Sequence, residues 1–276
     1  MRKQIDVVVL SDLHLGSYHC KAKELNQYLR SIQPKTLVLN GDIIEREALR
    51  KRYFPRLHME VIQSMLDLTL TGTKIYFVTG NHDDQLRKFS NMSMGPIHLR
   101  DKLVLKIKGK TYWIFHGDLL DSSKWVSPTL RFLGKKGYAQ LLRLNRWQNF
   151  WRRKRGKSPH SLSQSIKSNI DKAQSYISGF EEAAGRLAIK NRYDHVICGH
   201  IHQPCIKKIQ DKGASVTYMN SGDWVESLTA LEYRHNSWKL YQFHELDYQL
   251  DNPKLQSSKK DRHAKLPKKL LEELSC

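Results

Sequence analysis

The chain has 276 residues, 39% of them hydrophobic, and its 47 Lys and Arg against 27 Asp and Glu leave a formal charge of +20. That length suits one large domain, or one domain with an insertion and a tail, and the charge favours a polyanionic partner: an anionic lipid surface, a phosphate-bearing substrate or a nucleic acid. Cys20, Cys198, Cys205 and Cys276 lack CxxC spacing and a disulfide framework, no apolar run has the length of a membrane span, and Val7–Leu10 is too short for a signal sequence.

A strand near Ile5–Leu10 opens the chain and delivers Asp12 and His14. Helical spacing follows over Cys20–Gln33, and the run Leu37-Val38-Leu39 leads to Asp42. The stretch Glu45–Leu70 reads as a helix divided at Pro55, with Val61, Ile62, Met65, Leu66 and Leu68 toward the core, and Gly72 ends it. A strand at Lys74–Val78 runs into Gly80-Asn81-His82, and Leu86–Arg100 reads as loop. Leu103–Ile107 and Tyr112–Phe115 form a hairpin turned at Gly109-Lys110, followed by His116-Gly117-Asp118.

From Ser122 to Ile170 there are twelve Lys and Arg and no Asp or Glu. Leu130, Leu133, Leu141, Leu144, Trp147 and Trp151 are interleaved at helical spacing. Such a stretch is either an interfacial helix for anionic lipid or a lid packed on the core with a solvated basic face. A further helix spans Ser161–Lys190. The strand His195–Cys198 then meets Gly199-His200-Ile201-His202, and antiparallel strands are expected at Cys205–Ile209, Ser215–Asn220, Leu228–Tyr233 and Lys239–Phe243. The turn Asn220–Trp224 should face the same edge as the earlier motifs. The expected organisation is a core of residues 1–121 and 179–245, a basic helical insertion at 122–178, and a Lys-rich tail at 246–276, disordered from Asp251 with a weak helix at its end.

Five short β-branched or aromatic runs thus each end in Asp, His or Asn. Read as buried strands, they bring those groups to the carboxyl edge of a sheet, where α/β folds place their sites. Singly the fragments are loop or turn chemistry; all five in order, each after a strand, are not. Carboxylates bridge ions, and imidazole nitrogen and amide oxygen complete a cysteine-free ligand set suited to manganese, iron, zinc or magnesium. A pair of such ions ~3.5–4 Å apart acidifies a shared water and offsets phosphoryl charge.

The set resembles the calcineurin-like metallophosphoesterase superfamily, with its D-x-H, G-D-x-x-D, G-N-H-[DE], lone His and G-H-x-H, across roughly Asp6 to Leu240. The resemblance implies an α/β fold, a four-layer α-β-β-α sandwich with a helical insertion as lid. It also implies two divalent cations, manganese foremost. Asp12, His14, Asp42 and His202 would hold one, and Asp42, Asn81, His116 and His200 the other. His82 would be the acid for the leaving oxygen. The second motif departs, with Glu45 where Asp is usual; if that carboxylate orients His82, its extra length shifts the ring.

Within the superfamily the chain is most similar to bacterial UDP-2,3-diacylglucosamine hydrolases of lipid A synthesis, through His116-Gly117-Asp118, the insertion after it and the segment 220–227. These release UMP and an acylated sugar phosphate at the inner membrane, which implies a lipid-linked nucleotide substrate and a cytoplasmic, peripheral location. Asp118, Asp121, Lys167 and Lys172 are substrate-contact candidates by position. His82 stands where those hydrolases carry Arg, which points to a sister group. Two other readings compete: a phosphodiesterase or nuclease acting on nucleic acid, and a metal-bearing scaffold that docks on membranes without catalysis. Charge reversal at Arg152, Arg153 and Arg155 should weaken co-sedimentation with anionic vesicles; unchanged binding would remove the interfacial reading of the insertion.

Overall fold

The computed structural model describes residues 2–46, 54–121 and 163–249, with the side chains of 121, 163–172 and 249 outside that set. The expected basic insertion therefore lies outside the described residues except for its last helix, and so does most of the expected tail. Through Gln242 the chain forms one compact unit. The segment beyond it is a second unit, of which Leu246–Gln249 is described as a short helix.

Two sheets make up the first unit. The first holds β1 (Lys3–Leu10), β2 (Ile32–Asn40), β3 (Lys74–Val78), β4 (Ser93–Met94), β5 (Ile97–Arg100), β11 (Thr229–Arg234) and β12 (Ser237–Gln242), in the order β12-β11-β1-β2-β3-β5-β4. The second holds β6 (Leu103–Ile107), β7 (Lys110–Ile114), β8 (His195–Cys198), β9 (Cys205–Asp211) and β10 (Ala214–Asn220), in the order β6-β7-β8-β10-β9. The motif-bearing strands are parallel to their neighbours, β1 to β2, β2 to β3 and β7 to β8. Their carboxyl ends therefore point one way within each sheet. The site sits where the ends of two sheets meet, not at the edge of one.

The layers follow from alternation along the strands. Val7 and Val9 of β1, Val38 of β2 and Val78 of β3 join Ile114, Ile197 and Met219 in the core between the sheets. Val8 and Leu10 lie on the opposite face of β1 and are fully buried too. Burial on both faces is why this strand reads as an unbroken apolar run. Helices α1 (Ala22–Ser31) and α2 (Arg56–Leu70) pack together beside the first sheet. The 4-residue α3 (Asp118–Asp121) leads toward α4 (Ser163–Lys190), whose Phe180, Ala184 and Ala188 pack with Trp113, Val196 and Tyr218 of the second sheet. The fold is the two-sheet α/β sandwich that the resemblance implied.

Several local expectations are corrected. Residues 86–100 are not loop: a 3-10 helix over Asp84–Phe89 is followed by β4 and β5, and β5 adds to β3 in parallel. That strand depends on a partner distant in sequence, so propensity alone misses it. The hairpin turns at Lys108-Gly109, both at positive φ (50° and 78°), not at Gly109-Lys110. This is the mirror-type turn whose twist matches the strands. On α2 the buried side chains are His58, Val61, Ser64, Met65 and Leu68, whereas Leu66 is exposed; it lies about 100° around the helix from Met65. The four late strands are antiparallel as expected, in two pairs: β9 with β10 in the second sheet, and β11 with β12, which return to the first.

Gly185 shows how closely α4 approaches its sheet: a methyl there would stand 2.7 Å from Ile209 Cγ2. Overpacking costs roughly 1–3 kcal/mol, while exchanging Gly for Ala in a helix returns at most about 1 kcal/mol. Gly185→Ala should therefore lower stability by about 1 kcal/mol in urea unfolding, and a gain would show that α4 is free to move outward.

Candidate metal centre

The turns after the strands rotate the backbone out of the sheets. Asp12 (φ 54°), His14 (49°), Asp42 (53°), His200 (69°) and His202 (54°) are all left-handed, a region non-glycine residues rarely occupy and one costing of order 1–3 kcal/mol each. Neighbouring glycines make room for the carboxylates. A methyl on Gly80 would lie 2.3 Å from Asp42 Oδ1, and one on Gly199 would lie 2.6 Å from Asp12 Oδ2. The glycines of Gly-Asn-His and Gly-His-Ile-His are thus steric requirements of the site.

The side chains collect in two groups. Asp12, His14 and His202 place a ligand atom each within 4.8 Å of one another, as do Asp42, His116 and His200. Asp12 and Asp42, both buried, stand between imidazoles: His202 Nε2 is 3.1 Å from Asp12 Oδ1 and His116 Nε2 is 3.3 Å from Asp42 Oδ2. Backbone amides grip the other oxygens, His200 N donating to Asp12 Oδ2 at 3.0 Å and His82 N to Asp42 Oδ1 at 2.8 Å. His116 Nδ1 lies 2.9 Å from the Asn40 carbonyl, so it carries a proton there and turns Nε2 toward the cluster as the nitrogen a cation would take. His82, 39% exposed at its side chain, stands at the rim with Nε2 3.9 Å from Asp42 Oδ2.

Asn81 Oδ1 is buried without a hydrogen-bond partner, and Asp12 Oδ1 and His116 Nε2 meet their neighbours in the cluster without good hydrogen-bond geometry. Buried polar atoms are seldom left so. Each is a good donor to a divalent cation, and two carboxylates, imidazoles and one amide oxygen match a mixed oxygen and nitrogen set without thiolate. The residues fit a pair of such ions. The protonation of the bare cluster points the same way. Burial pushes Asp12 up, yet His202 and His116 bring it down to about 2, and Asp42 is depressed against its own burial by His116. Conversely His116 is raised to about 10 and His202 to about 9, because Asp42 and Asp12 outweigh burial. Protons hold the positive charge that cations would supply.

The other candidates are placed differently. Asp118 is engaged by Arg87, whose Nη2 donates to its Oδ2 at 2.5 Å. The side chains of Asp121, Lys167 and Lys172 lie outside the described residues. Glu45 reaches two rings, with Oε1 2.9 Å from His82 Nδ1 and Oε2 3.2 Å from His14 Nδ1.

The sequence reading passed over several supporting groups. Asp83, last of Gly-Asn-His-Asp, accepts from Gly80 N at 2.5 Å and Ile43 N at 2.8 Å, fastening the third motif to the second. Asn220 donates to Gly199 O at 2.8 Å and accepts from Gly222 N at 2.9 Å. Asp223 caps the next turn through Val225 N at 2.8 Å and stands 3.9 Å from His202 Nδ1. Asp83 was signalled by its motif, and Asn220 and Asp223 by the polar turn.

His116→Ala should lose manganese uptake and turnover together. Because His116 and His202 keep their protons up to pH about 10 and about 9, loading at neutral pH must release protons. Manganese affinity should therefore rise with pH from 6 toward 9. Titration calorimetry in buffers of unequal ionisation enthalpy reads the release directly, and identical heats would contradict it.

A family model described as calcineurin-like phosphoesterase matches residues 5–204. A UDP-2,3-diacylglucosamine hydrolase of Aeromonas hydrophila is 27% identical over 67% of this chain and 76% of its own length. One from Vibrio cholerae is 28% identical over 81% of this chain and 93% of its own. Among solved structures, an archaeal phosphodiesterase at 14% identity covers 86% of this chain and 99% of that one, with a TM-score of 0.40. With the family model spanning most of its length, the chain belongs to the calcineurin-like phosphoesterases and is a metal-dependent phosphoester hydrolase.

Proposed function

We propose that this hydrolase cleaves the pyrophosphate of UDP-2,3-diacylglucosamine, releasing UMP and acylated glucosamine 1-phosphate, at an anionic membrane face. The observation that carries the choice of substrate is the run of relatives bearing that name across most of the chain. The charge of +20 suits a phosphate-bearing lipid on an anionic surface. Among the described residues no helix is long and apolar enough to cross a membrane.

In this reading Asp12, His14, Asp42 and His202 hold one divalent cation, and Asp42, Asn81, His116 and His200 hold the other. Manganese is the first choice, with iron, zinc or magnesium behind it. When bound, such a pair supplies Lewis acidity toward a water and toward the phosphoryl oxygens. The chain does the rest. Amides of His200 and His82 fix the two central carboxylates. His82 at the rim donates the proton to the departing oxygen; the Glu45 hydrogen bond raises its pKa despite partial burial, so the proton is kept to higher pH.

Incubation of UDP-2,3-diacylglucosamine with the protein and manganese should yield UMP and the lipid phosphate by mass spectrometry. No UMP, together with cleavage of single-stranded DNA or RNA, would replace this reading with the nuclease one. His82→Ala should slow hydrolysis of poor leaving groups by roughly 100-fold or more, and far less for an activated aryl phosphate. An equal loss on both would make His82 a positioning residue.

A further inference from the structure

We propose that Glu45 is a positioning residue shared by a cation ligand and the proton donor, so that one carboxylate sets His14 and His82 together. The inference rests on the two-cation reading above. His14 and His82 meet edge to face, with ring centroids 4.8 Å apart and planes at 87°. In that arrangement both Nδ1 atoms converge on Glu45, at 3.2 Å from Oε2 and 2.9 Å from Oε1. A carboxylate only accepts, so each ring presents Nδ1–H to it. The proton choice then differs only at Nε2, which is a lone pair in His14 and an N–H in His82 when it acts as the acid. One group orients both tautomers, as partners behind metal-binding imidazoles do.

The backbone is built for this reach. His14 N donates to Asp42 O at 2.9 Å, Leu15 N to Ile43 O at 2.8 Å, and Glu45 N to Leu15 O at 2.9 Å. Leu15 and Ile44 form a parallel bridge. The turns after β1 and β2 are thereby zipped, which holds residue 45 beside the Leu15 bridge, diagonally across from residue 14. From that position an Asp carboxylate, one methylene shorter, reaches one ring and not two. The Glu that departs from the usual pattern is what allows the bridge. His14, Glu45 and His82 also lie close enough to hold a cation themselves. An ion there would need the Nδ1 lone pair of His14 while its Nε2 serves the cluster, stripping the ring of both protons; two hydrogen bonds require nothing of the kind.

The test is manganese titration calorimetry on the full chain, paired with the leaving-group dependence of aryl phosphodiester hydrolysis, for Glu45→Gln, Glu45→Asp and His82→Ala. Glu45→Gln should weaken one of two manganese-binding steps roughly 10- to 100-fold and flatten the leaving-group dependence. Glu45→Asp should weaken the same step yet keep that dependence, and it carries the test if the Gln variant fails to fold. His82→Ala should flatten the dependence and leave both manganese steps unchanged. Undiminished manganese affinity in both Glu45 variants overturns the shared role while leaving the two-cation reading intact. A wild-type chain that takes up fewer than two manganese ions overturns both.

Discussion

Asp42 is the constraint on which the structure turns. Its carboxylate is buried between His116 and His82, with one oxygen gripped by a backbone amide and the other left toward the ring nitrogens. A charge so placed is tolerated only with positive charge beside it. In the bare protein that charge comes from protonated imidazoles; in the family's chemistry it comes from cations. Five left-handed backbone positions and the neighbouring glycines follow from the same demand, because each turns a ligand inward at short range.

The rest of the sandwich keeps those turns from relaxing. The turns after β1 and β2 are zipped by backbone hydrogen bonds, and Asp83 fastens the third motif to the second. Beside the second sheet, Phe180 of α4 lies against Gly117, where a methyl would meet its Cζ at 2.6 Å, and its ring is 6.0 Å from that of His200. Helix α4 therefore acts as a strut behind His116 and His200 as well as a layer of the fold. Strain at single residues persists because the packed sheets around them have no lower alternative.

The cluster is built on buried carboxylates that call for positive charge beside them, whereas the chain as a whole is strongly basic. Such a contrast suits an anionic substrate drawn by the long-range field and then fixed by short-range Lewis acidity. The long-range part is sequence-tolerant, and the short-range part depends on sub-ångström placement.

By itself the sequence marked the residues that the fold gathers at the strand ends. Asp12, His14, Asp42, Asn81, His116, His200 and His202 each follow an apolar run, and a strand leaves its last polar residue at the sheet's end whatever the neighbours are. The limits of β3 and β8 were also legible, because buried parallel strands read as apolar blocks. Tertiary structure alone decided that these ends belong to two sheets and that β5 exists at all, since pairing depends on strands far away in the chain. It also decided that Leu66 faces solvent, that Asp118 is taken by Arg87, and that Glu45 spans two rings. Those are distances between side chains on separate turns, and no local pattern encodes a distance between segments that only packing brings together.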